Sequence, residues 1–81
     1  VGKDYNNPRI DSRVKKEVTV NGERRFFASE ATLLDVIRSL NLEPDRVAVE
    51  LNRAIVKRDA WPGTQFEANA EIEIVQFVGG G

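Results

Sequence analysis

Residues 14–28 read VKKEVTVNGERRFFA, and the Asn21-Gly22 pair at the centre decides what the stretch can become. Both central residues of a type I′ turn need positive φ, and Asn-Gly supplies it at low steric cost. Between two alternating runs, the dipeptide predicts a β-hairpin. On its first strand Val14, Val18 and Val20 fall on one face, and Lys15, Glu17 and Thr19 on the other. On the second strand, Phe26 or Phe27 can reach a core.

Toward the C-terminus the period changes from two to about 3.6. In ATLLDVIRSLNL, Leu33, Val36, Ile37 and Leu40 recur at helical spacing, while Asp35, Arg38 and Ser39 face out. Thr32 with Asp35 three residues later resembles a capping box, with Asp in place of Glu or Gln. Asn41 and then Pro44 end the helix. RVAVELN alternates Val47, Val49 and Leu51 against Ala48 and Glu50, which predicts a strand. A short strand follows around Ile55 and Val56, then a turn at Pro62-Gly63, and QFEANAEIEIVQF ends in a strand with Ile72 and Ile74 on one side. Trp61 reads as an anchor at the core edge, its indole N–H seeking a partner. The order strand, strand, helix, strand, short strand, strand implies an α+β roll: a mixed sheet of four to five strands packed on one main helix. That is the order of the ubiquitin-like β-grasp. Residues 14–77 form this domain.

Toward the N-terminus the pattern is lost. VGKDYNNPRIDSR, residues 1–13, has neither period and reads as a mobile extension or an engineered remnant.

Composition bounds the chemistry. Eighty-one residues make one domain near the lower limit for a self-sufficient core. The chain has no cysteine and no histidine, which removes disulfides, thiolate nucleophiles, Cys/His zinc sites and imidazole bases. Glu71 and Glu73 share a strand face, but acids so placed belong to a solvated surface rather than a catalytic pair. Carboxylates remain for a metal or acid–base site, but a chain this small without Cys or His is a poor candidate for a stand-alone enzyme, and no metal or bound cofactor is expected. Residues 1–25 carry seven basic and four acidic side chains, and residues 26–81 five and nine. No glycine-aromatic pattern accompanies the basic end, so nucleic acid is not an expected partner. No apolar run approaches the ~20 residues of a spanning helix, so no membrane partner is expected and the placement is cytoplasmic.

The last strand runs into three glycines, in EIEIVQFVGGG, residues 71–81. Read as the end of the chain, these glycines lead to no further domain, and no helix follows them to make a phosphate loop. Glu71, Glu73, Val75 and Phe77 share the face opposite Ile72 and Ile74. Either Val75 and Phe77 lie open as an apolar docking patch with Val78, or the strand twists and buries Phe77. Residues 78–81, extended, reach ~13 Å. Without Cβ atoms Gly79 and Gly80 can thread a constriction. At the tip the Gly81 carboxylate is ionised at neutral pH, since a chain-terminal carboxyl titrates near ~3.5. A carboxylate is a poor electrophile. Conversion to an acyl-adenylate by ATP on a partner enzyme, followed by attack of sulfide or a persulfide, would leave a thiocarboxylate. None of this needs Cys or His on the carrier.

VTVNGERR, ATLLDVIRSLNL, VAVELNRAIVKRDAW and above all IEIVQFVGGG, spanning about residues 18–81, resemble the ThiS-type sulfur carriers of thiamine biosynthesis. The resemblance implies that Gly81 is adenylated by an E1-like, ThiF-type enzyme and converted to a thiocarboxylate. Its sulfur would come from a donor such as a cysteine-desulfurase persulfide and pass to thiazole synthase, the ThiG-type partner. Gly80 and Gly81 match the family's reactive diglycine, and Gly79 extends it. The family's usual Asp-Gly-Asp-like turn before the last strand is here EANAE, where Asn69 can take positive φ. The small subunit of molybdopterin synthase and other thiocarboxylate carriers share fold and diglycine. A ubiquitin-like binding module with an inert tail is the remaining alternative.

Overall fold

The structure, a computed structural model, describes residues 14–77. The N-terminal extension and the tail residues Val78, Gly79, Gly80 and Gly81 lie outside the described residues. Five strands and one α-helix follow in order: β1 (Lys15–Val20), β2 (Glu23–Ala28), α1 (Leu33–Ser39), β3 (Val47–Leu51), β4 (Ala54–Val56) and β5 (Glu71–Gln76). Two 3-10 helices, Pro44–Arg46 and Arg58–Gly63, fill the connections around β3 and β4.

The hairpin forms where the sequence places it. Asn21 and Gly22 have φ of 50° and 85°, as a type I′ turn requires, and β1 pairs with β2 from Lys15↔Ala28 to Val20↔Glu23. Val18 and Val20 are buried as expected, but Val14 is not. It precedes the first paired residue, where only its carbonyl is engaged, by the Ser29 N–H at 3.0 Å. The inward position next in line belongs to Lys16, which is 7% exposed. Of the two candidate phenylalanines Phe27, opposite Lys16, turns inward, and Phe26, opposite Glu17, stays out. Phe27 meets Phe66 edge to face with ring centroids 6.2 Å apart.

Helix α1 opens on a complete capping box. The Asp35 N–H donates to Thr32 Oγ1 at 3.3 Å, and the Thr32 N–H donates to Asp35 Oδ2 at 2.9 Å. Leu33, Val36 and Ile37 are fully buried against the sheet. The helix stops at Leu40, and Asn41 follows with φ of 59°. Pro62-Gly63 does not form an isolated turn, a correction to the sequence reading. The two residues finish the second 3-10 helix, whose Trp61 is fully buried and donates its indole N–H to Val56 O at 2.9 Å. The burial of that ring holds the segment in a continuous helical turn.

The strands order as β2-β1-β5-β3-β4, with β1 and β5 parallel and the other pairs antiparallel. Val18, Val49 and Ile72 from the sheet, Leu33, Val36 and Ile37 from α1, and Trp61 make the driest part of the core. Each such side chain contributes roughly 1.5–3 kcal/mol on burial. The last of the described strands in sequence is the middle one in space.

Candidate functional site

The site is assembled around β5, because this strand delivers the residues that follow Phe77. Its inner side chains Ile72 and Ile74 are buried in the core, while Val75 and Phe77 are 58% and 57% exposed. Of the two arrangements open to Phe77, the structure adopts the exposed one. Val75 lies opposite Ala48 on β3, and Ile55 on β4, 75% exposed, lies opposite Glu50. On the outer face, Ala48 and Val75 form one apolar row on the Phe77 side, and the next row runs Ile55, Glu50, Glu73, so Ile55 is separated from Val75 by acids. Glu73 sits opposite Glu50, and the Glu71 carboxylate is 3.9 Å from the Arg53 guanidinium. These acids are solvated strand surface. Among the described residues no group of acids could hold a metal ion.

Three asparagines at positive φ hold β5 in place, of which the sequence marks only Asn21 and Asn69 as turn residues. Asn52, with φ of 51°, donates its N–H to Glu71 O at 2.7 Å. Its side-chain Oδ1 accepts the Glu71 N–H at 2.9 Å. Asn69, with φ of 70°, donates its N–H to Glu17 O at 2.6 Å and turns the chain into the strand. The EANAE segment therefore makes the turn expected of it.

Asn21 does the most. The parallel β1–β5 ladder would continue with the Ile74 N–H donating to the Asn21 backbone carbonyl, but the left-handed turn swings that carbonyl away. The Asn21 side chain replaces it. Oδ1 accepts the Ile74 N–H at 2.6 Å, and Nδ2 donates to Ile74 O at 3.1 Å. A carboxamide has the donor and acceptor of a peptide group, so it extends β1 by one peptide. Glycine could make the same turn but not these bonds, and that is the signal available in the sequence.

A second inward polar group was also missed. Lys16 Nζ donates to Ala31 O at 3.1 Å and to Phe66 O at 2.8 Å, and stands 3.8 Å from the centre of the Phe66 ring. Burial pushes its ammonium below the usual lysine range, against the opposing pull of Glu67, Glu30 and Asp35. Lys16 thereby ties β1 to the segments before α1 and before β5. Strict alternation from Val18 and Val20 reaches position 16, so the pattern contains this residue.

Two clefts flank the end of β5. One, of about 320 Å³, lies toward β1, between the hairpin turn and the end of α1. The other, of about 340 Å³, is bordered by Asn41, Glu43, Arg46 and Phe77. The Phe77 N–H donates to Arg46 O at 2.8 Å, holding the chain to the end of the first 3-10 helix, just before β3. Among the described residues no helix is long and apolar enough to cross a membrane.

Fold, strand order and the position of β5 define a ubiquitin-like β-grasp domain whose central strand is followed in sequence by Val78 and three glycines. The ThiS family model matches residues 17–81. The chain belongs to the ThiS family. The crystal structure of the thiamine biosynthesis protein ThiS from Geobacter metallireducens is similar, with a TM-score of 0.68 and 28% identity over 80% of this chain and 99% of that one. Two curated proteins named thiazole synthase are also similar. That of Magnetococcus marinus is 34% identical over 65 residues, and that of Paramagnetospirillum magneticum 32% over 65 residues. In both the match covers 80% of this chain, which spans about a fifth of the length of these relatives.

Proposed function

We propose that this domain carries sulfur for thiamine synthesis as a thiocarboxylate on Gly81. One observation carries the reading: the central strand of the sheet, clamped on both sides, runs directly into the glycines with its exposed Val75 and Phe77 beside the exit. The domain acts as a protein substrate, and the chemistry is supplied by partners.

The Gly81 carboxylate attacks the α-phosphorus of ATP on an E1-like, ThiF-type enzyme. Pyrophosphate leaves and an acyl-adenylate remains. A sulfur nucleophile then attacks the activated carbonyl, and AMP departs with the bonding pair. With sulfide the product is the thiocarboxylate directly. With the persulfide of a cysteine desulfurase it is an acyl disulfide, and a thiol reduces its S–S bond to release the thiocarboxylate. Gly79 and Gly80 let the tail pass into a narrow site, because they present no Cβ to its walls. Val75, Phe77 and Val78 form the docking patch that holds the carrier while the tail is inside.

The acceptor is a thiazole synthase of ThiG type. Two proteins named thiazole synthase contain a segment similar to this chain, and joining of carrier-like and acceptor sequences in one polypeptide supports a shared pathway. The test is the intact mass after incubation with ATP, a sulfur source and a ThiF-type enzyme. The expected change is one oxygen replaced by one sulfur, abolished by deletion of Gly81. Transfer is then assayed with thiazole synthase and with the large subunit of molybdopterin synthase, of which the former is expected to accept the sulfur. The reaction needs a free Gly81 carboxylate, which the same spectrum reports. An unchanged mass with an enzyme active on another carrier would leave a binding module with an inert tail.

A further inference from the structure

The Asn21 carboxamide ends the β1 side of β5 one peptide short. Along β5 alternate residues face alternate neighbours. The Thr19 N–H donates to Ala70 O and the Asn21 N–H to Ile72 O, whereas Glu71 and Phe77 are bonded to Asn52 and Arg46 on the β3 side. The peptide groups of Ile72, Ile74 and Gln76 therefore face β1. Ile72 meets the β1 backbone and Ile74 meets the Asn21 side chain. The β1–β5 pairing stops at Val20↔Ile72, and among the described residues no strand flanks Gln76 on this side.

That open peptide borders the 320 Å³ cleft. Leu40, Leu42 and Ile74 supply apolar lining, and Glu23 and Arg25 pair with each other at 3.1 Å at its edge, leaving no net charge to recruit an ion. We infer that this groove takes an extended segment of the enzyme that activates Gly81, added as a short strand alongside Gln76. This rests on the carrier reading of the tail. An extended peptide is the ligand whose donors and acceptors match a strand edge, and its alternate side chains can fill an apolar floor. The occupant follows from where the groove lies. Gln76 is five residues before Gly81, whose carboxylate the carrier reading uses. A protein that must receive residues 78–81 extended gains its grip at the point where they leave the sheet.

The test is Gln76→Pro in the full chain, with binding to the ThiF-type enzyme measured by calorimetry without ATP. Proline removes the N–H that faces the groove, leaves the β3-facing peptides of Val75 and Phe77, and suits an extended residue before it. Loss of one interfacial hydrogen bond and of edge access predicts a Kd weaker by about five- to tenfold, with an unchanged thermal midpoint. Amide hydrogen exchange of the wild-type chain gives a second readout that does not depend on the variant folding: Gln76 is expected to exchange slowly in the complex and rapidly when free. An unchanged Kd for a folded variant, equal exchange of Gln76 in both states, or no binding at all would overturn the groove. The mass of the wild type after adding ATP and sulfide judges the tail separately. Protection of Gln76 without sulfur gain supports the groove and rejects the carrier chemistry.

Discussion

Lys16→Met measures what one inward ammonium does for this small core. Methionine keeps the unbranched apolar stem but leaves Ala31 O and Phe66 O without the donor they now have at 3.1 and 2.8 Å. A hydrogen bond to a charged group contributes about 1.5–3 kcal/mol, and the contact with the Phe66 ring adds about 0.5–2 kcal/mol. Against these stands the cost of keeping an ammonium out of water, which the lowered Lys16 pKa reports. Since a buried charge replaced by a hydrophobe can even stabilise a protein, the opposing contributions cancel in part. A net loss of about 2 kcal/mol is expected. For a domain of this size that lowers the thermal midpoint by roughly 8–16 °C.

The pH dependence has a definite sign. Between the lowered folded pKa and the ordinary value near 10.5, the unfolded chain binds the Lys16 proton more fully than the folded one, so stability rises with pH in that window. The wild type should therefore gain stability relative to Lys16→Met as pH rises through it. Urea titrations of both proteins from neutral to alkaline pH decide the matter. A variant as stable as the wild type at neutral pH would show that desolvation outweighs the three contacts and refute the reasoning.

Three further outcomes are expected. Thr32→Ala removes the N-cap of α1 and should cost about 1 kcal/mol in urea unfolding, with the fold retained. Glu73→Lys turns the like-charged pair with Glu50 into an attractive one across β3 and β5. It should stabilise the domain by about 0.5 kcal/mol at low salt, the gain shrinking as salt is added. Phe77→Asp, at a position more than half exposed, should change stability by less than about 0.5 kcal/mol while slowing thiocarboxylate formation on the ThiF-type enzyme.

The hairpin, the capped helix and the inward residues of β3 and β5 were legible because each is written in a local period or dipeptide. The exposed side chain of Phe77 was legible only as one of two arrangements, since alternation names its face and not its cover. Pro62-Gly63 misled because a turn dipeptide looks alike at the end of a 3-10 helix and alone, and the burial of Trp61 decides between them. The bonds from Asn21 to Ile74 span 53 residues, and no window along the chain contains both partners. Lys16 was hidden differently: the period points it inward, but its charge argues for the surface. Two carbonyls and a ring, supplied by residues 31 and 66, settle that conflict.

The place of β5 also bears on synthesis. The β1–β2 and β3–β4 hairpins can each close locally, but β5, the last of the described strands, is what joins them. A nascent chain that ends before residue 71 has two half-sheets and no centre, and its exposed apolar faces invite degradation or aggregation. Folding is thus a checkpoint on completeness: a molecule that has acquired its native sheet has already translated the strand that leads to the glycines. A protein that recognises the assembled sheet thereby passes over chains that stop before β5.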